Sequence, residues 1–181
     1  YHALTSLQAG LATVIVVLFV LKKYGGFDKH IHMEQFWAMS KLLLALSLMW
    51  FYFWFSGFII LWYGRQPIEQ NILTLLMVGP YKNLFIASFL LNFVIPVVIL
   101  IWNMVRKSIV GPTIVACIIL VGSLIDRIRI YVASYSIEDV FAHTMEIVPP
   151  AHTPDIFDIF ILLGGISGAI LVYVLAAKVI P

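Results

Sequence analysis

Long apolar runs, separated by short polar connections, dominate the pattern of hydrophobic and polar positions along the chain. Each run is long enough to cross the hydrocarbon layer of a bilayer, which is roughly 30 Å thick and needs about 20 residues of α-helix. The connections carry charged residues, glycine and proline, which are typical of helix ends. The pattern predicts an all-α, polytopic membrane helix bundle with about five transmembrane helices, over Leu4–Leu21, Phe36–Tyr63, Asn83–Val105, Val110–Ala133 and Asp155–Lys178.

The composition supports a membrane protein and excludes other classes. Hydrophobic residues make up 62% of the chain and charged residues only 11%, and the mean hydropathy is +1.04. A soluble domain has about a quarter of its residues charged, because it needs a polar surface around its core. We therefore expect a single transmembrane domain over residues 1–181. The net charge of +2 provides no basic surface for nucleic acid, and one cysteine, Cys117, excludes a disulfide framework or a cysteine-ligated cluster.

Basic residues in the connections predict the orientation of the chain. They concentrate in the first connection, in the third connection and at the C-terminus, which lie on one side of a membrane that the chain crosses five times. The second connection, from Gly64 to Lys82, carries two basic residues, and the fourth carries none. By the positive-inside rule, we expect the N-terminus outside and the C-terminus in the cytoplasm. The basic residues on the predicted cytoplasmic side are Lys22, Lys23, Lys29, Arg106, Lys107 and Lys178.

A charged group interrupts the fourth apolar run. A charge in the hydrocarbon layer costs several kcal/mol unless it is paired or hydrated, so Asp126, Arg127 and Arg129 are the most informative residues of the chain. Asp126 and Arg129 are three positions apart and face one side of a helix, whereas Arg127 points about 100° away, toward a different neighbour. Two interpretations stay open. One is an ion pair with an arginine that reaches the headgroups; the other is a buried carboxylate that exchanges protons beside a polar ligand.

A polar stripe follows the second apolar run. Lys41, Tyr52 and Tyr63 are eleven positions apart, and eleven residues at about 100° each bring side chains back to within about 20°. If the stripe faces other helices, it lines a proton path across the membrane. Alternatively, the lysine reaches the headgroups and the tyrosines belong to packing or to the aromatic belt. The other aromatic residues of this run are expected to pack or to contact lipid.

Two further features concern packing rather than chemistry. Asn92 and Pro96 predict an interruption of the third helix that exposes a backbone carbonyl, because proline has no N–H. Gly164 and Gly168 form a GxxxG pair in the fifth helix, which favours close contact between helices.

The histidines argue against haem and metal ligation. All five lie at or outside the ends of the predicted helices, so none is placed to be an axial ligand of a haem b inside the bundle. His143, Glu146 and His152 share one loop, but their loose spacing is weak support for a metal site, and we expect solvated side chains. No sequence motif for nucleotide binding, zinc proteolysis or serine hydrolysis occurs in the structural context that it requires. We therefore expect no catalytic residue of those kinds.

Several of these segments together resemble one family of membrane proteins. They are His32–Glu34, Lys41–Leu43, Tyr52–Ser56, Trp62–Gly64 with Glu69, and Gly122–Arg127. In these segments the chain resembles the NrfD/PsrC membrane subunits, the polysulfide-reductase-like anchors that include membrane subunits of alternative complex III. Because members of that family have more helices, the resemblance implies that the chain is the C-terminal half of a larger subunit.

The resemblance implies a function in electron transport. It implies a subunit, not catalytic alone, of a bacterial inner-membrane oxidoreductase that uses menaquinone or ubiquinone and has no redox cofactor on this chain. Such a subunit passes electrons between the quinone pool and an iron–sulfur subunit, beside molybdopterin or haem c subunits and other membrane subunits, and is also associated with proton translocation. The residues that match the family are Lys41, Tyr52, Trp62, Tyr63, Glu69, Asp126 and Arg127; Arg65 and Arg129 are added on physical grounds.

Three functions therefore stay open. In the first, Asp126 with its two arginines handles protons or holds a polar ligand near the exterior face of a quinol-linked complex, and Lys41 and Tyr52 continue the route toward the cytoplasm. In the second, the chain is half of a secondary transporter, and the charged group binds an ion or a small solute. In the third, the chain is a structural anchor whose polar groups only hold helices together.

Overall fold

The computed structural model describes residues 1–135 and 154–179, and these residues form helices and turns with no β-strand among them. The chain divides into two compact units, Tyr1–Pro150 and Ala151–Pro181. A five-residue π-helical segment, Leu90–Val94, links two of the helices. The helices are α1 His2–Tyr24, α2 Met33–Gly64, α3 Pro67–Met77, α4 Lys82–Phe89, α5 Ile95–Leu100, α6 Asn103–Arg106, α7 Val110–Tyr135 and, in the second unit, α8 Ile156–Val179.

The prediction of an all-α membrane helix bundle is confirmed. The fourth predicted span, Val110–Ala133, forms α7, whose 26 residues exceed the roughly 20 that a span needs. The other four predicted spans correspond to helical stretches that are long and apolar enough to cross a membrane. These stretches are His2–Tyr24, Met33–Gly64, Lys82–Leu100 and Ile156–Ala176.

Two boundaries differ from the prediction. The connection from Gly64 to Lys82 contains a helix, α3, which is too short to span a membrane and is therefore missed by a search for long apolar runs. Pro67 begins it, at a position where the missing N–H costs no hydrogen bond. The third predicted span ends at Leu100 rather than Val105, because Trp102 adopts an extended backbone before the short helix α6.

The core of the first unit forms where α1 packs along α7. Helix α1 buries Thr5, Gln8, Ala12 and Ile15, whose spacing of three and four positions puts them on one face. Because the first two are polar and the next two apolar, the core has a polar half near the start of α1 and an apolar half beyond it. The apolar half consists mainly of Ala12, Ile15, Phe36, Leu43, Leu100, Val115, Ala116 and Ile119.

The predicted interruption at Asn92 and Pro96 is confirmed, and it provides a hydrogen-bond acceptor for α1. The chain passes from α4 through the π-helical segment into α5, whose first turn holds Pro96. In a regular helix, the N–H at position 96 would donate to the carbonyl of Asn92, but proline has no N–H. Gln8 Nε2 donates to that carbonyl instead, at 3.2 Å. The interruption of one helix therefore becomes a point of attachment for α1.

Helix α8 is the described part of the second unit. Asp158 Oδ2 accepts a hydrogen bond from the backbone N–H of Asp155 at 3.0 Å, which caps the first turn. An acidic residue in the first turn and Lys178 in the last turn both complement the helix dipole. Gly164 and Gly168 lie one turn apart in this helix, as the GxxxG spacing requires.

We predict that Gly122→Ala destabilises the first unit. An added Cβ would lie 2.7 Å from Leu91 Cβ and 2.9 Å from Asn92 Nδ2, so the facing helix must shift. Overpacking of this kind costs about 1–3 kcal/mol. Gly57→Ala is the matched control, because its Cβ meets no described atom within 4 Å and alanine favours a helix. Denaturant unfolding in detergent should give a lower midpoint for Gly122→Ala only; equal midpoints would contradict this close packing.

Candidate functional site

The charged group of α7 belongs to the polar half of the core. Asp126 is fully buried, and its two carboxylate oxygens have different partners. Oδ1 accepts a hydrogen bond from Arg129 Nη2 at 2.7 Å, and Oδ2 accepts one from the Tyr1 hydroxyl at 2.8 Å. The predicted pairing of Asp126 with Arg129 on one helix face is therefore confirmed. Tyr1 was not predicted as a site residue; it joins the start of α1 to the ion pair.

Arg129 is buried almost as completely as its partner, with 2% of its surface exposed. Its Cζ lies 5.5 Å from the centre of the Phe85 ring, so the guanidinium lies over the face of an aromatic side chain. Its Nη2 donates to Asp126, whereas its Nε has no hydrogen-bond partner among the described residues. The Arg129 guanidinium thus has one ion-pair partner, Asp126, and one buried N–H donor, Nε, with no acceptor among the described residues.

Arg127 contacts the first turns of α1, directly after the Tyr1 that bonds Asp126, so the prediction that Arg127 points toward a different neighbour from Asp126 is wrong. Its Nη2 donates to the His2 carbonyl at 3.1 Å and to Ser6 Oγ at 2.9 Å, and its Nη1 contacts His2 Nδ1. The His2 ring in turn stacks on Tyr131, with 5.8 Å between ring centroids. Arg127 therefore fixes the first turn of α1 against α7. By doing so it holds Tyr1 near Asp126, which makes Arg127 a positioning residue of the site.

A row of aromatic rings connects the ion pair to α2. Successive ring centroids are 5.9 Å apart from Tyr1 to Trp50, 6.0 Å from Trp50 to Trp54, and 5.1 Å from Trp54 to Phe85, which contacts Arg129. The Nε1 atoms of both tryptophans are shielded and have no hydrogen-bond partner among the described residues. Sequence reasoning missed this role, because it assigned the aromatic residues of α2 to packing and lipid contact. Their spacing of four positions, on one helix face, was the available signal.

A second polar group lies between α1, α2, the π-helical segment and α7. Gln8 Nε2 donates to Ser47 Oγ at 3.0 Å as well as to the Asn92 carbonyl, and Ser123 Oγ donates to Asn92 Oδ1 at 3.4 Å. All four residues are buried, and Gln8 Oε1 has no hydrogen-bond partner among the described residues. Ser123 precedes Asp126 by one turn of α7. This group was not predicted, because single uncharged polar residues are common in apolar helices.

The predicted stripe on α2 lies apart from the ion pair. Tyr52 and Tyr63 are 65% and 72% exposed, and Lys41 is exposed with its Nζ 3.3 Å from the centre of the Trp37 ring. None of the three contacts Asp126 in the described part of the chain. Arg65 and Glu69 lie at the turn between α2 and α3. The structure therefore brings together Asp126 and Arg129, with Arg127 beside them, but not the other five predicted residues.

Metal ligation gains no support from the described residues. Within residues 1–135 and 154–179, no group of three or more histidine, cysteine, aspartate or glutamate side chains is arranged to hold a metal ion. His143, Glu146 and His152, the loop residues weighed as ligands from the sequence, lie outside the described residues.

We predict that Arg129→Met destabilises the first unit by about 3–5 kcal/mol, because it leaves a buried carboxylate without its counter-charge. The double variant Asp126→Leu with Arg129→Met should recover most of that loss, since it removes both charges. Lys41→Met, at an exposed position where the ammonium lies over the Trp37 ring, should change stability by about 1 kcal/mol or less. Denaturant unfolding of the four proteins in one detergent measures these differences. An Arg129→Met protein as stable as the Lys41→Met protein would contradict the buried pair.

Comparisons with known proteins do not identify a family. No family model matches the chain, and no curated protein matches it. The resemblance to NrfD/PsrC-like membrane subunits therefore stays a hypothesis drawn from short segments of the sequence.

Proposed function

We propose that this membrane protein is a subunit of a quinone- or quinol-linked oxidoreductase, in which Asp126 exchanges protons with the quinone substrate. The observation that carries the proposal is the fully buried Asp126 carboxylate, held between Arg129 and Tyr1 beside buried aromatic rings. The resemblance of the sequence to NrfD/PsrC-like subunits supports the same function.

The chemistry of quinol oxidation requires a proton acceptor. A quinol loses two electrons and two protons when it becomes a quinone, and a carboxylate accepts one of these protons when it lies within about 2.6–3.2 Å of the hydroxyl oxygen. Asp126 Oδ2 already accepts a hydrogen bond from one phenolic hydroxyl, that of Tyr1, at 2.8 Å. Because a quinol is also a phenol, its hydroxyl would make the same kind of contact with this carboxylate.

The surroundings of the carboxylate favour a flat apolar ligand with carbonyl oxygens. Trp50, Trp54 and Phe85 offer ring faces beside the ion pair. Arg129 Nε and the two tryptophan Nε1 atoms are buried donors with no acceptor among the described residues, and a quinone carbonyl is such an acceptor. Small-molecule sites in proteins typically combine apolar walls with a few polar groups that fix the orientation of the ligand. Menaquinone and ubiquinone both meet this description.

The proposed function requires partner subunits. We propose that electrons pass between the quinone pool and an iron–sulfur subunit, with molybdopterin or haem c subunits beyond it, because the sequence resemblance implies such an assembly in a bacterial inner membrane. The positive-inside rule puts the start of α1, and with it Asp126, toward the outside. Lys41 and Tyr52 are exposed on α2, so a proton route through them toward the cytoplasm requires another subunit that covers them.

Transport is a second candidate, and one observation favours it. Helix interruptions that carry polar residues in the middle of a bundle are typical of binding sites in secondary transporters. The π-helical segment with Pro96 is such an interruption, and Gln8, Ser47, Asn92 and Ser123 surround it. Under this function the chain moves an ion or solute without redox partners, whereas the oxidoreductase function requires them.

We predict that Asp126→Asn lowers quinol-linked turnover of the native complex about 100-fold or more, because an amide cannot accept the proton. Asparagine keeps the size of the side chain but leaves Arg129 without its counter-charge, so assembly with the partner subunits is verified first and turnover is expressed per assembled complex. Glu34→Gln removes one exposed carboxylate and should leave turnover unchanged. Turnover is measured with a soluble quinol and the purified complex. Full turnover in Asp126→Asn would rule out this carboxylate as the proton acceptor.

A second prediction concerns the native assembly. Purification in mild detergent, followed by mass spectrometry of the subunits, should identify iron–sulfur, molybdopterin or haem c proteins bound to this chain. A lone chain or a homo-oligomer would instead favour transport, which proteoliposome flux with the purified chain then tests. If turnover stays at the wild-type level after substitution of all three charged residues of α7, a structural anchor is the only function that remains for the chain.

A further inference from the structure

We propose that the end of the α2–α3 hairpin binds one phospholipid whose headgroup carries both a phosphate and a primary ammonium, as phosphatidylethanolamine does. The lipid site does not rest on the quinone function, because it uses other side chains, although Phe58 of the lining contacts Trp54 and Phe85. It rests on a cavity, on two charged side chains at its mouth and on the level at which the hairpin turns.

An apolar cavity of about 300 Å³ opens between α2 and α3. Its lining consists of Phe58, Ile59 and Trp62 from α2 and Leu73 and Met77 from α3. No charged side chain belongs to this lining. Leu73 is buried, whereas Trp62 and Met77 are 63% and 46% exposed, so the cavity is accessible from the surface of the unit. A hydrocarbon chain fits the chemistry of these walls.

Helix α3 runs back along α2, which fixes what lies at the mouth of the cavity. Gln70 Nε2 donates to the Leu61 carbonyl at 3.0 Å, close to the turn, while Leu73 and Met77 lie farther along α3. Glu69 precedes Leu73 by four positions and therefore continues the same face of α3 toward the turn. On α2, Arg65 follows Trp62 by three positions and caps the helix. The two charged residues therefore lie at the turn end of the cavity.

The two charges at the turn are of opposite sign and are not joined in an ion pair. Arg65 is exposed, and Glu69 is partly buried, with its Oε2 close to the last residue of α2, 3.0 Å from where a Cβ on Gly64 would lie. Neither side chain has an ion-pair partner within residues 1–135 and 154–179. Arg65 adopts a left-handed backbone, φ 48°, which turns the chain sharply before Pro67. One cationic and one anionic group are thus available at one end of an apolar cavity.

The turn has the features of the membrane interface. Helix α2 has 32 residues and is about 48 Å long, which exceeds the roughly 30 Å hydrocarbon layer and reaches the headgroups. Trp62 and Tyr63, both largely exposed, lie in its last turn, and such residues mark the interface. A lipid at this level has its headgroup beside the turn and an acyl chain beside the cavity.

The charges of Arg65 and Glu69 determine which phospholipid headgroup fits the site. A phosphate matches the planar guanidinium of Arg65, which binds phosphate through paired N–H donors. A primary ammonium donates hydrogen bonds to the Glu69 carboxylate. Phosphatidylglycerol has the phosphate but no ammonium, and phosphatidylcholine has an ammonium without N–H donors. Of the three, only phosphatidylethanolamine satisfies both side chains.

Native mass spectrometry of the full chain in mild detergent tests the proposal, with the three lipids carrying identical acyl chains. We expect phosphatidylethanolamine to bind more tightly than the other two. A charge contact near the membrane surface corresponds to about a fivefold change in affinity. Arg65→Gln should therefore weaken all three lipids about fivefold each, because each of them has a phosphate. Glu69→Gln should weaken phosphatidylethanolamine by the same factor, spare phosphatidylglycerol and so abolish the preference.

Control variants separate this site from general effects of charge. Lys29→Gln and Glu34→Gln remove one exposed charge of each sign elsewhere, and they should leave all affinities unchanged. Met77→Trp fills the open edge of the cavity and should weaken all three lipids. Equal affinity for the three lipids, a preference that survives Glu69→Gln, or lipid affinities that Arg65→Gln leaves unchanged would overturn the proposal. Displacement of bound lipid by a quinone, with no effect of either charge variant, would also overturn it and assign the cavity to that ligand.

Discussion

A salt bridge buried in a membrane bundle imposes the strictest constraint on this protein. Removing Asp126 and Arg129 from water costs several kcal/mol for each ion, and the mutual attraction repays this only if other groups complete the hydrogen bonding. The Tyr1 hydroxyl donates a second hydrogen bond to the Asp126 carboxylate, and the Arg129 guanidinium lies over the Phe85 ring. Because Tyr1 precedes α1, the first turn of that helix must lie against α7, where Arg127 holds it.

The same constraint extends along the α1–α7 contact. Gln8 is buried near the start of α1, and its amide donates to Ser47 and to the carbonyl that Pro96 leaves free. An interrupted helix is tolerated in a membrane only where neighbours satisfy its backbone. Gly122 allows this by bringing α7 within contact of Asn92. Polar groups and helix irregularity are therefore parts of one arrangement rather than separate defects.

Helix α2 has two faces with different surroundings. One face buries Ser47 and Trp50 against the polar half of the core, whereas the other exposes Tyr52, Tyr63 and the end at Arg65. The inner face belongs to the proposed proton-exchanging site, whereas the outer face is exposed. The two sites proposed for this protein adjoin each other along α2, because Phe58 of the lipid cavity contacts Trp54 and Phe85 of the proton-exchanging site. They depend on different side chains and stand or fall separately.

The sequence by itself determined the membrane class, the approximate spans, the Asp126–Arg129 pair and the interruption at Asn92. Each follows from local rules, namely the length of apolar runs, a spacing of three positions and the missing N–H of proline. Only the tertiary structure decided that Tyr1, Trp50 and Phe85 surround the pair, because these residues come from different helices and no periodicity encodes which helices meet. It also decided that Lys41, Tyr52 and Tyr63 face outward. A helical stripe specifies a direction, but only packing specifies what lies in that direction.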